Sequence, residues 1–71
     1  MLPFEVLLSR SGLSRRAFRD RVGTFSRNIE QAETSGLNVA TADLWSTRLG
    51  LHPAEVFGIE AWTAAIIAEG V

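Results

Sequence analysis

The sequence predicts an all-α fold, a compact bundle of five to six short helices, on three observations. Glycines at 12, 23, 36, 50, 58 and 70 cut the chain into pieces of about one short helix each. Between them, apolar residues recur mostly at helical spacing. No run alternates apolar and polar residues as a half-buried strand would.

The first piece spans roughly residues 3–11. Pro3 suits a first helical position, Phe4, Leu7 and Leu8 make one apolar stripe, and Gly12 can end the helix. The second spans roughly 14–22. Ser14 is a good N-cap, and Leu13 can staple to Phe18. Phe18 and Val22 point inward, and Arg15, Arg16 and Arg19 are candidates for the outside. The third spans roughly 25–34, with Thr24 or Ser26 as cap, Ile29 and Ala32 as its buried side and Gly36 as its end. The fourth spans roughly 40–49, with Ala42, Trp45 and Leu49 on one face and Gly50 as the stop. The fifth begins at His52-Pro53 and closes at Phe57-Gly58; Leu51 can staple to Val56, and Glu55 sits at the capping-box position. A last amphipathic stretch, roughly 60–69, carries Trp62, Ala65 and Ile66 on one side.

Seventy-one residues suit one domain. A chain this short buries only about 60% of its unfolded surface. With 46% hydrophobic residues it can fill one core, with little left for a deep substrate pocket. The absence of cysteine excludes disulfide scaffolds and thiolate zinc sites. One histidine, His52, cannot make a histidine cluster, and before Pro53 it reads as a cap or packing residue; no metal or cofactor is expected. Met1 to Leu8 lacks a basic n-region and is interrupted by Pro3 and Glu5, so no signal peptide is expected. Ala64 to Ala68 is too short to span a bilayer. No nucleophile elbow, phosphate loop or histidine–carboxylate constellation is present, so an enzyme is not expected.

The net charge of −1 is misleading, because the charges are segregated. Residues 1–28 hold six of the seven cations, Arg10, Arg15, Arg16, Arg19, Arg21 and Arg27, against Glu5 and Asp20. Residues 29–71 hold Arg48 against six acids. A basic face on a near-neutral protein still attracts a polyanion. Every cation is arginine, whose fork matches phosphate oxygens and guanine edges better than a lysine does.

The second and third pieces, about 14–34, meet most spacing demands of a helix-turn-helix. Gly23 supplies the turn, Ile29 is the buried aliphatic six positions later, and Phe18 and Val22 face inward. A small residue is favoured four positions before the turn glycine, and Arg19 stands there; its stem can follow the interface with the guanidinium outside. Sliding the register onto Ala17 would put Arg21 in the turn and Arg27 in the core. Residues 40–58 then brace the unit from behind.

The chain resembles the lambda-repressor-like (Cro/CI-type) helix-turn-helix domains, in particular small versions from actinobacteria and their phages. The resemblance covers about residues 2–62 and is carried by Leu2-Pro3-Phe4, Gly12-Leu13-Ser14-Arg15-Arg16, Ser26-Arg27, Gly36-Leu37, Ala42-Asp43 and, most specifically, Leu49 to Val56. It implies a bundle whose third helix lies in the major groove of double-stranded DNA, and a transcriptional repressor or phage switch working in the bacterial host cytoplasm. On that resemblance Ser26, Arg27, Asn28, Gln31 and Thr34 would read bases, with Arg27 forked to guanine and Gln31 paired with adenine. Arg10, Arg15 and Arg16 would hold phosphates. Such domains commonly bind a pseudo-palindromic operator as homodimers, with half-sites about 34 Å apart. Leu44 and Ile67 are the candidate dimer contacts. The third helix departs from the family pattern: Thr24 and Phe25 open it, and Glu30 and Glu33 add negative charge. The rival expectation is therefore a protein-interaction module that keeps the fold without sequence-specific DNA readout.

Overall fold

A computed structural model describes residues 1–70. Six helices follow in order: α1 (Phe4–Ser11), α2 (Arg15–Val22), α3 (Ser26–Ser35), α4 (Val39–Arg48), α5 (Pro53–Phe57) and α6 (Ile59–Glu69). The fold is all-α, as the glycine spacing predicts, and no named strand occurs among the described residues. The one extended pairing is an antiparallel bridge between Leu2 and Leu37. Leu2 N–H donates to the Leu37 carbonyl at 2.8 Å, and Leu37 N–H returns to the Leu2 carbonyl at 2.7 Å.

Three aromatic rings organise the core. Phe4 from α1, Phe18 from α2 and Trp45 from α4 meet edge to face, with centroids 5.2, 5.7 and 6.3 Å apart. Each such contact contributes about 0.5–1.5 kcal/mol beyond the area it buries. Leu7, Val22, Ile29, Ala32, Ala42 and Val56 close around them. Leu2 and Leu37 are buried as well, so the bridge between them is a piece of core. Among the described residues Ser46 is the one buried polar residue, and its hydroxyl has no hydrogen-bond partner there.

Helix starts follow local chemistry in two cases and depart from it in a third. Ser14 accepts from Ala17 N–H at 3.1 Å, the cap expected for α2. Asn38 caps α4 by accepting from Thr41 N–H at 2.7 Å. At α3 neither Thr24 nor Ser26 is the N-cap; Phe25 is, with no side-chain bond to the helix. The two hydroxyls are engaged elsewhere. Thr24 accepts from the Asn28 amide at 2.8 Å, and Ser26 accepts from the Arg19 guanidinium at 2.9 Å. His52 likewise stands at the N-cap of α5 without a side-chain cap bond.

α6 lies on the surface and has no fully buried residue. Trp62 stacks on Phe57 with centroids 6.3 Å apart, and both are half-buried. At its far end the Glu69 carboxylate accepts from Val39 N–H at 2.9 and 3.1 Å, so one helix terminates on the first turn of another. The negative group also suits the positive end of α4. Among the described residues no helix is long and apolar enough to cross a membrane.

Candidate nucleic-acid interface

α3 buries one side and offers the other. Ile29 and Ala32, three residues apart, anchor it to the core. Arg27, Gln31 and Thr34 are exposed on the opposite side, with Glu30 beside them. Open grooves of about 490 and 430 Å³ run along its two flanks, so α3 stands as a ridge between them. Arg15, Arg16, Arg19, Ser26 and Glu30 line the groove towards α2. The groove towards α4 is lined by, among others, Thr24, Asn28, Gln31, Asn38, Leu44 and Arg48.

The five residues expected to read bases fall into two groups. Arg27 and Gln31 have no side-chain hydrogen bond among the described residues; Arg27 projects from the crest, and Gln31 stands at its edge, where it also lines the groove towards α4. Thr34 shares their face, with its hydroxyl donating to the Glu30 carbonyl at 3.1 Å. Ser26 and Asn28 are exposed but engaged: Ser26 holds Arg19, and Asn28 closes back on Thr24. They lie on opposite flanks of the ridge rather than on its crest.

The three expected phosphate residues also differ. Arg16 is exposed in the groove beside α2, and Arg10 is exposed in the last turn of α1. Arg15 is not free: its guanidinium pairs with the Glu33 carboxylate, eighteen residues on, across α2 and α3. The pair is solvent-facing, with the arginine side chain 56% exposed. Exposed pairs of this kind contribute only about 0–1 kcal/mol, so an anion can draw Arg15 away at little cost.

Two other arginines have structural posts that spacing alone does not reveal. Arg19 lies at the α2–α3 crossing with its guanidinium spread between Asp20 at 3.1 Å and Ser26 at 2.9 Å. Its stem occupies the position where a small residue was favoured, with the charged head on the outside. Arg48 reaches from α4 to the Val22 carbonyl at 2.5 Å and so satisfies the C-terminus of α2. Arg19 thus ties α2 to the start of α3, and Arg48 ties α4 to the end of α2.

Phe25, read from the sequence only as a departure from the family pattern, has no place among the expected site residues. It is 76% exposed, although it lies four positions before buried Ile29. Its backbone is extended, φ −105° and ψ 155°, so helical spacing does not apply to it. The only hint in the sequence is an aromatic where a capping residue belongs. The expected dimer residues, Leu44 and Ile67, are both exposed. Leu44 lines the α4 groove, whereas Ile67 shares an outer stripe of α6 with Ile59 and Thr63.

The arrangement provides a protruding helix with a five-donor fork and a donor–acceptor amide on its crest, flanked on one side by arginines. Comparison with family models, curated proteins and solved structures finds no match to this chain.

Proposed function

We propose that this chain is a sequence-specific double-stranded DNA-binding transcriptional regulator, a phage or bacterial repressor or Cro-like switch of the lambda-repressor-like type. The observation that carries this reading is the α3 ridge. Arg27 and Gln31 stand unengaged on its crest, and the adjoining groove is edged by Arg15, Arg16 and Arg19. A major groove about 12 Å wide admits one helix, and these two side chain types pair bidentately with guanine and adenine. Arg16 and Arg10 neutralise phosphates on the α2 side, and Arg15 joins them on exchanging Glu33 for a phosphate. Ser26 and Asn28 act one step back from the bases, by holding Arg19 and the start of α3.

A single ridge covers few base pairs, and this reading includes a homodimer on a pseudo-palindromic operator with half-sites about 34 Å apart. The exposed stripe of Ile59, Thr63 and Ile67 on α6 supports a self-complementary contact there, and exposed Leu44 on α4 is the other candidate. The action is on DNA in the bacterial cytoplasm and calls for no cofactor.

Selection of bound duplexes from a random pool, repeated at two salt concentrations, tests the proposal. The expected result is one enriched motif, with affinity falling steeply in salt. Arg27→Ala then loses about 1–3 kcal/mol at one base step. Parent-like binding by Arg27→Ala and Gln31→Ala together would sink the reading. Glu30 and Glu33 on α3 favour one rival, a protein-interaction module without DNA readout. That rival predicts no enriched motif at either salt concentration and a stable complex with a protein partner.

A further inference from the structure

We infer that Phe25 is a specificity residue that reads the C5-methyl group of a thymine at the leading end of α3; this rests on the DNA-reading role proposed above. The aromatic core is complete without it. Phe4, Phe18 and Trp45 fill the centre, Phe57 packs on Trp62, and Phe25 alone of the four phenylalanines is exposed, at 76%. Nothing in the fold requires an aromatic ring there. The position even forgoes a cap: a serine, threonine, asparagine or aspartate at this N-cap would bond the first turn of α3.

Its place on the ridge is specific. Thr24 lines the groove on one side of α3, and Ser26 lines the groove on the other. Phe25 therefore sits between the two grooves, at the tip that enters first when a helix is presented by its N-terminal end. The extended backbone turns the ring out of the helix, and both neighbouring hydroxyls are tied back to Asn28 and Arg19. The surroundings select the occupant. Arg27 follows Phe25 by two residues, and Arg16 and Arg19 line the groove on the Ser26 side, a setting that draws a polyanion rather than an apolar protein face. On a duplex, the apolar feature that base edges expose in the major groove is the thymine methyl, and phenylalanine is among the side chains that contact it.

The test replaces each thymine of the selected site, one at a time, by uracil, which removes only the methyl group. The parent, Phe25→Ala and Phe25→Leu are compared by direct binding, with thermal melts to verify folding of these surface variants. For the parent, uracil at one thymine should weaken binding about fourfold, the value of one buried methyl. Phe25→Ala should bind the thymine site more weakly and be indifferent to uracil there, while Phe25→Leu retains part of the discrimination. A selected motif in which no thymine is methyl-sensitive overturns the inference, as does a Phe25→Ala variant as sensitive to uracil as the parent. Both outcomes leave the regulator reading intact. If the parent enriches no motif at all, the regulator reading fails first and this inference with it.

Discussion

Replacing Gly36 by alanine strikes the joint between the ridge and its brace. Gly36 has φ +82° and ψ −176°, a region open essentially to glycine alone. Forcing an L-residue there costs about 1–3 kcal/mol. The added Cβ would also lie 2.8 Å from Met1 Cβ and 3.0 Å from the Leu2 carbonyl oxygen. Met1 Cβ is fixed to the backbone and no rotamer change moves it, so Met1 yields only by a shift of its own backbone. The Leu2 carbonyl cannot move without loosening its bond to Leu37 N–H, and the reciprocal bond sits beside it. Loss of both adds about 0.5–1.5 kcal/mol per bond. The expected total is about 2–6 kcal/mol, or at least about 8 °C in Tm at about 4–8 °C per kcal/mol for a domain of this size. Gly12→Ala is the internal control. Gly12 has φ +69° with nothing near its would-be Cβ, so only the left-handed strain of about 1–2 kcal/mol applies. Thermal unfolding followed by circular dichroism gives the Tm values, and amide exchange reports Leu2 and Leu37 directly. Equal losses for the two variants, or intact protection of the Leu2 and Leu37 amides in Gly36→Ala, would refute the reasoning.

Two further outcomes are expected. Ser46→Ala removes a fully buried hydroxyl without a partner and improves helix propensity, so Tm should rise by the equivalent of about 1 kcal/mol or more; an unchanged or lower Tm would show that the hydroxyl is satisfied. Glu33→Gln frees Arg15 and should tighten DNA binding while steepening its salt dependence, by about 0.9 in the log–log slope for one added phosphate contact, with Tm nearly unmoved. Identical slopes for variant and parent would remove Arg15 from the phosphate set.

Element order was legible in the sequence because glycine stops coincide with changes in apolar stripe. Gly12, Gly23 and Gly36 each sit one residue past a helix, and Phe18, Val22, Ile29, Ala32 and Trp45 are buried where periodicity assigns them. Tertiary substitutions were not legible. A hydroxyl near a helix start reads as a cap, yet Thr24 and Ser26 serve Asn28 and Arg19, which leaves Phe25 at the cap position. An arginine at a helix start reads as free for phosphate, yet Arg15 finds a carboxylate eighteen residues away. Leu2 and Leu37 lie outside every helical stripe, so their burial depends on a pairing that no local pattern announces. On the candidate interface, the crest residues Arg27, Gln31 and Thr34 were legible from the wheel. The post of Arg19 at the crossing was legible as well, but its bond to Ser26 and the reach of Arg48 to α2 were not, because those partners come from other helices.

The short connector between α3 and α4 receives both ends of the described fold. Leu2 is bonded to Leu37, and the Glu69 carboxylate is bonded to the N–H of Val39, two residues further along. The path of the chain is thus nearly a closed ring, with its opening behind the ridge. Joining residue 70 to residue 1 by a short linker and cutting at Gly50 or Gly58, where an added Cβ would meet open space, is a natural circular permutation of this domain.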